Sequence, residues 1–315
     1  MSLWLVGAGP HAREYAKVLM HLHQTFEVIG RGSSSATEFE SCVGKEVRGE
    51  GLEAEISLQG APEQAIVAVS YDQLPAVAST LIRAGTKYIL LEKPAALGIS
   101  KIRELNSLAK LHGTQVLVAY NRRFYASTLL ARKLIRDDGG PTSCTFEFTE
   151  WAHTIEPMQL PAITKAAWMI ANSSHVADLA FHLCGAPSDW RAWHDGSMAW
   201  HPAGARFCGA GVTDRGTLFS YLADWEAPGR WGLEVLTRKR RFVFRPMESL
   251  HVTHLGSIKM ETVVLEDALD LNFKPGLYRQ TQAFLAGDTS CLCTIDEQEQ
   301  MIATYSKMAG YSGIY

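Results

Sequence analysis

The 315-residue chain has no basic field. Its 30 Lys and Arg are balanced by 33 Asp and Glu for a formal net charge of −3, and its only cationic cluster is Arg238-Lys239-Arg240-Arg241. Holding a nucleic-acid backbone takes many Lys and Arg on one face. Nucleic acid is therefore excluded as a partner, and the cluster reads as the solvated tip of a hairpin. Long apolar runs are missing too. None approaches the ~20 residues of a membrane span, so no membrane partner is expected. Met1-Ser2 leads straight into a predicted strand and leaves no room for a signal peptide, which points to the cytoplasm. Cys42, Cys144, Cys184, Cys208, Cys291 and Cys293 lack metal-ligand spacing. They are expected as small buried hydrophobes in a reducing compartment, and no metal site is expected. Internal repeats and low-complexity linkers are absent.

What is present is an ordinary globular composition, 47% hydrophobic and 20% charged, in a chain long enough for two cores. Through residue 120 strand and helix alternate. Strands are predicted at Leu3–Val6, Phe26–Ile29, Ala65–Val69, Tyr88–Leu91 and Gln115–Ala119. Helices are predicted from the first glycine turn to about Leu22, through Arg83 with a stop at Gly85, and from a cap near Ser100. Continuously apolar strands joined by helices predict a doubly wound parallel sheet covered on both faces. After Tyr120 the period changes. Cys144, Phe146 and Phe148 alternate with Thr145, Glu147 and Thr149, the pattern of a sheet with one wet face. Further strands are expected at 217–225, 231–237, 241–246 and 257–265, forming a mostly antiparallel open sheet with helices on one side. Thr294-Ile-Asp-Glu297 fits a capping box. It opens a last helix with Met301, Ile302, Tyr305, Met308 and Ala309 as its apolar stripe. The fold class is thus α/β: a dinucleotide-type domain over 1–120 and an α+β substrate-binding and oligomerisation domain over 121–315, whose last helix is free to pack back on the first.

Gly7-x-Gly9-x-x-Ala12 follows a strand and opens a helix, the context in which this spacing holds a dinucleotide. Its glycines allow a tight turn and close approach of a pyrophosphate, which the helix N-terminus then meets with free N–H groups. Gly7, Gly9, Pro10, His11 and Ala12 are the expected contacts, with Ser70 after the third strand. The second strand lacks the terminal acid that holds the ribose of NAD, since no acid lies between Glu27 and Glu38 and Glu27 is expected to point away. Arg31 with Ser33 and Ser34 offers a cation and hydroxyls suited to a 2′-phosphate. NADP(H) is expected ahead of NAD(H). Glu92-Lys93-Pro94 stands where an apolar strand runs out, at the edge where open α/β sheets bind ligands.

Asn172-Ser173-Ser174 is expected to cap a helix that ends at Gly185, with Val176, Leu179, Ala180 and Leu183 as its buried stripe. His175, Asp178 and His182 share a neighbouring stripe, for which three readings are open. They could ligate a metal, although no further ligand is evident. They could be structural histidines. Or His175 could carry a proton, with Asp178 orienting it or pinning the helix. Tyr120-Asn121-Arg122-Arg123-Phe124 starts at the rim of the first domain. Seven of the eight tryptophans lie beyond residue 150, where aromatic faces suit stacking on sugars.

These motifs, in this order and together with Phe273-Lys274-Pro275-Gly276 through Phe284, resemble the Gfo/Idh/MocA oxidoreductases, the glucose–fructose oxidoreductase and inositol dehydrogenase family. The resemblance spans nearly the whole chain. It implies a Rossmann domain, a second domain with an open sheet, and hydride transfer at a carbon of a sugar, cyclitol or nucleotide-sugar. The enzyme would then be a dehydrogenase or ketoreductase acting on CH–OH. It implies Lys93 and His175, with Asp178, as the catalytic group handling the hydroxyl proton, and a cis bond before Pro94. It places Glu92 and Lys93 against the cofactor. Lys93, Asn121, Arg122, Arg123, Trp168, Asn172 and His175 would face the substrate. It also implies a homodimer or homotetramer paired through the open sheet. Two departures stand out. Ala171 occupies the position where many members carry an Asp before the catalytic His, and Tyr125-Ala126 replaces the usual proline after Arg-Phe. Two other functions are compatible with the sequence: a cofactor-binding regulator or scaffold without turnover, and a glycosidase that oxidises and re-reduces its sugar on tightly held NAD.

Overall fold

The computed structural model describes residues 2–311. The chain divides into two compact units, one running to Asn121 and including Leu269–Gln300, the other comprising Arg122–Ala268 and the chain from Met301 onward. No helix among the described residues is long and apolar enough to cross a membrane.

In the first unit β1 (Leu3–Val6), β2 (Glu27–Ile29), β3 (Val47–Arg48), β4 (Gln64–Val67), β5 (Tyr88–Glu92) and β6 (Gln115–Ala119) form a parallel sheet. The order is β6-β5-β4-β1-β2-β3, and the short strand Cys293–Thr294 adds antiparallel to β6. This order reverses at β1, so a crevice opens at the carboxyl ends of β1 and β4. Leu5, Ile66 and Leu90 are fully buried at the middle of three adjoining strands; each contributes ~1.5–3 kcal/mol by leaving water. Helices Pro10–His21, Ser33–Val43, Leu52–Gln59, Leu74–Ala84 and Ile99–His112 connect the strands. The last of these starts one residue before Ser100: its cap is Gly98, and no side chain caps it. Residues 269–300 differ from the expected 121–315 span by clustering with this unit. Helix Leu277–Ala286 packs on Pro10–His21, Cys293 and Thr294 pair with β6, and Gln298 donates to the Pro94 carbonyl at 2.9 Å.

The second unit carries β7 (Ser143–Glu147), β8 (Pro187–Asp195), β9 (Arg206–Thr213), β10 (Leu218–Asp224), β11 (Gly232–Leu236), β12 (Arg240–Phe244), β13 (His251–His254) and β14 (Glu261–Thr262). Their order is β14-β13-β12-β11-β7-β10-β9-β8, antiparallel except for β7 beside β10. Phe146, as its alternation predicts, turns inward, where it stacks on Tyr221 at 5.5 Å and meets Phe181 of helix Ser174–Cys184 edge-on.

Several expectations need correction. Of the strand expected at 257–265 only Glu261–Thr262 forms, with one further backbone bond from Val263 N to Leu250 O at 2.9 Å; Ile258 and Val264 are exposed. Strands β8, β9 and β13 were not anticipated. Cys42 and Cys208 are exposed rather than buried; all six cysteines are free thiols. Arg240 is not solvated either, because its guanidinium grips Asp138, Nε to Oδ2 at 2.9 Å and Nη2 to Oδ1 at 2.6 Å. The Thr294 cap does form, with Glu297 N donating to Thr294 Oγ1 at 3.1 Å, and the expected apolar stripe beyond it is buried.

Candidate functional site

At the carboxyl end of β1 the chain turns at Gly7, whose φ is +123° and whose N–H donates to Ile29 O at 2.8 Å. A Cβ there would stand 2.3 Å from the Ala68 carbonyl oxygen. Only glycine fits, because β1 and β4 approach so closely at this point. At Gly9 a Cβ would meet nothing within 4 Å. Gly9 is the N-cap of Pro10–His21, and no side chain caps that helix. Its first N–H groups therefore remain available to an anion in open space, which fits a dinucleotide pyrophosphate.

One strand over, Arg31, Ser33 and Ser34 are exposed. The serines open a helix rather than a loop: Ser33–Val43 is capped by Gly32 without a side-chain bond. A second uncapped N-terminus thus stands beside Arg31 where a ribose acid is missing. Arg31 Nη1 donates to Gln73 Oε1 at 2.9 Å, and Gln73 Nε2 donates to Asp72 Oδ2 at 2.7 Å. Bonds from Gln73 and Ser70 hold the Asp72 carboxyl below its ordinary range, with the Arg31 charge adding to them. Ser70 is thereby tied to the same polar chain as Arg31. Glu27 does point away, accepting from Arg48 at 2.8 Å and Gln59 at 3.0 Å.

Glu92 and Lys93 are both buried, and the bond from Lys93 to Pro94 is cis. Glu92 accepts from the buried Tyr15 hydroxyl at 2.8 Å. Burial and the Glu92 charge together push that hydroxyl's pKa well up, so Tyr15 stays a donor. Lys93 Nζ stands 3.4 Å from the Tyr71 hydroxyl and 5.3 Å above the Tyr71 ring. His11 lies 3.8 Å from Glu92, and Lys274 Nζ lies 2.9 Å from its Nε2. Burial lowers the His11 pKa; Glu92 works against this and Lys274 adds to it. A neutral His11 is the form that can accept from Lys274. Asn121 is committed inward, donating to Pro275 O at 2.9 Å.

In the second unit the Asn172-Ser173-Ser174 cap does not form. A π-helical turn, Met169–Ser173, runs directly into helix Ser174–Cys184, and Ser173 at the junction is helical without a capping bond. Asn172 Nδ2 and Ser173 Oγ instead donate to Glu150 Oε1 at 3.0 and 2.6 Å. Such turns occur disproportionately at functional sites. Every residue of this helix except His182 is buried, so His175 and Asp178 of the predicted polar stripe lie inside with the apolar one. Asp178 is held by Arg123, whose Nε donates to Oδ2 at 2.9 Å and whose Nη2 closes the fork. Of the two roles open to Asp178, pinning the helix matches this bidentate grip. Burial, then the charges of Arg123, Arg132 and Arg215, drives the His182 pKa well down, which keeps it neutral. His175 is buried with its ring 6.2 Å from that of Trp231. Trp168 packs edge-on to Trp200 at 6.3 Å within the aromatic core.

Glu150, Arg230 and Trp231 were not anticipated. Arg230 Nη1 donates to Glu150 Oε2 at 3.0 Å. Burial raises the Glu150 pKa, opposed by Ser173, Arg230 and Asn172. Trp231 has the guanidinium carbons of Arg122 and Arg230 each 4.6 Å from a ring centre, and Arg230 also lies 4.9 Å from Trp151. The adjacency of Glu150 to Trp151 and of Arg230 to Trp231 was the only hint in the sequence, and it has no characteristic spacing.

A glycine turn on an uncapped helix at the switch point of a parallel sheet is the arrangement of a dinucleotide-binding Rossmann domain. Residues 1–120 match an oxidoreductase family described as having an NAD-binding Rossmann fold. That domain belongs to the Gfo/Idh/MocA oxidoreductases. No curated protein matches the sequence. Among solved structures, UDP-N-acetylglucosamine 3-dehydrogenase GnnA from Acidithiobacillus ferrooxidans is 16% identical with a TM-score of 0.75, over 98% of this chain and 97% of that one. A levoglucosan dehydrogenase complexed with NADH is 16% identical with a TM-score of 0.81, over 98% and 96%. An oxidoreductase from Agrobacterium radiobacter, in complex with NAD+, L-tartaric acid and magnesium, is 13% identical with a TM-score of 0.78, over 99% and 97%. At such identities the likeness is one of fold.

Proposed function

We propose that the protein is an NADP-preferring dehydrogenase or ketoreductase acting on a carbinol carbon of a carbohydrate-like substrate. The observation that carries this reading is a buried lysine, Lys93, at the carboxyl end of β5, on the sheet edge that also carries the Gly7–Gly9 turn. A buried amine at a nucleotide-binding edge suits a proton-transfer role better than a packing one. When bound, the nicotinamide supplies the acceptor or donor of a hydride. Lys93 then holds the reacting oxygen and takes its proton on oxidation, or returns it and polarises the carbonyl on reduction. Tyr71 restrains the amine from one side. His175 is the second proton carrier by family resemblance, and Asp178 positions it indirectly by fixing its helix through Arg123. Glu92, held by Tyr15, keeps the strand end in place beside the cofactor.

The NADP preference rests on Arg31, the uncapped Ser33–Val43 helix and the outward-committed Glu27. The test is a panel of keto-sugars and nucleotide-keto-sugars with NADPH and NADH. Absorbance loss at the nicotinamide band with a carbohydrate ketone, faster with NADPH, is the expected result. Binding without turnover would support a regulator instead, and glycoside cleavage without net cofactor consumption would support a redox glycosidase; either would overturn the proposal.

A further inference from the structure

Arg122 and Arg123 are adjacent in sequence and differ in their partners. Arg123 is neutralised by Asp178. Arg122 forms no ion pair among the described residues, and its Nε is buried without a hydrogen-bond partner. Burial pulls its pKa down, the signature of a cation that has lost water without gaining a counter-ion. Its nearest carboxylates do little to offset this. Glu150 is engaged by Arg230, Ser173 and Asn172, and Glu248 is exposed, where water and salt screen it. Two guanidinium groups therefore flank one indole, Trp231, with one buried carboxylate for both. A cation over an aromatic face keeps its in-plane N–H fork for an oxyanion. Trp231 is also the ring that neighbours His175.

Resting on the dehydrogenase reading above, we infer that the carbohydrate substrate is anionic and that Arg122, assisted by Arg230 and Trp231, binds its oxyanion beside His175. The shared chemistry is a carboxylate or phosphate oxygen pair presented to a planar guanidinium. A sugar acid and a phosphorylated or nucleotide-linked sugar both provide it.

The test is a titration of the full-length protein, followed by intrinsic tryptophan fluorescence and by calorimetry, with glucose, glucuronate and UDP-glucose as probes. At least one anion is expected to bind roughly tenfold or more tightly than glucose, the scale of a charge-assisted bond. A preference for glucuronate assigns a carboxylate, and one for UDP-glucose a phosphate. Arg122→Met should erase the preference for the anion over glucose without lowering the melting temperature. Arg122→Lys, which keeps charge without the fork, should retain part of it. Added salt should weaken the anions and not glucose. The inference is overturned if neither anion outbinds glucose in the wild type, or if Arg122→Met weakens all three ligands alike. Because the readout needs no turnover, tight anion binding together with no nicotinamide turnover across the panel of carbohydrate ketones would sink the dehydrogenase reading and leave the anion site standing.

Discussion

At the carboxyl edge of β1 the candidate site is mostly backbone: a glycine turn, two helix N-termini without side-chain caps, and a few side chains around Lys93. Around helix Ser174–Cys184 it is almost wholly side chain: a buried Arg123–Asp178 fork, Glu150 with three donors, and an indole flanked by two arginines. Backbone sites depend on steric exclusion and tolerate many neighbours. Side-chain sites depend on charge being neutralised within each network, and they lose most when one partner is removed.

The largest expected effect breaks the backbone half. Gly7→Ala places a methyl 2.3 Å from the Ala68 carbonyl oxygen at φ +123°, so NADPH binding should vanish and stability fall by about 3 kcal/mol or more, on the scale of combined strain and overpacking. Calorimetric titration and chemical denaturation check both. In the other half, Asp178→Ala leaves Arg123 buried without its carboxylate and should cost about 3–5 kcal/mol. Arg122→Met, one residue away, should be neutral or stabilising. Equal losses from the two would erase the distinction drawn between these arginines.

A third effect is set by pH. Burial lowers the His201 pKa from 6.5 to about 4, while its Nδ1 contacts Gly204 O at 2.7 Å and its Nε2 the Tyr311 hydroxyl at 2.9 Å. Between those values the unfolded state binds the proton that the folded state refuses. Stability is therefore fully present above pH 6.5 and drains as pH falls toward about 4, by ~3 kcal/mol at 1.36 kcal/mol per unit. Denaturation midpoints across that window should flatten in His201→Gln; an unchanged slope would remove His201 as the cause.

The smallest effect sharpens the backbone half by probing the exposed cation Arg31. Arg31→Ala should raise the Kd for NADPH roughly ten- to a hundredfold, the scale of a charge-assisted bond, and leave NADH nearly unchanged. Added salt should weaken NADPH more than NADH. Equal loss of both cofactors would make Arg31 a structural residue.

This contrast explains what was legible in the sequence. Gly7, Gly9 and the apolar strands β1, β5 and β6 announce themselves because steric rules act over a few residues. Helix Ser33–Val43 was hidden, since Gly30, Gly32 and three serines look like a loop when the helix they start has no polar cap. Strands β8 and β9 were hidden by long-range packing. Gly209 and Gly211 weaken the strand signal, yet a Cβ at either would come within 2.5 Å of Tyr221 or Trp190 on a neighbouring strand. The Glu150–Arg230–Trp231 cluster draws on segments some 80 residues apart, a partnership that no local spacing encodes. Lys93 was legible because the apolar strand that ends beside it and the proline after it adjoin it in sequence; its partner Tyr71, 22 residues earlier, was not.

Lys93 is where the functional reading is most exposed. The most direct measurement is single-turnover reduction of a carbohydrate ketone by NADPH in Lys93→Met, followed at the nicotinamide band, with NADPH affinity measured in parallel. Turnover is expected to fall more than ~100-fold, the scale of a lost proton-transfer group, with the Kd for NADPH within about twofold of wild type. Near-normal turnover with intact cofactor binding would contradict the assignment of Lys93 to the reacting oxygen.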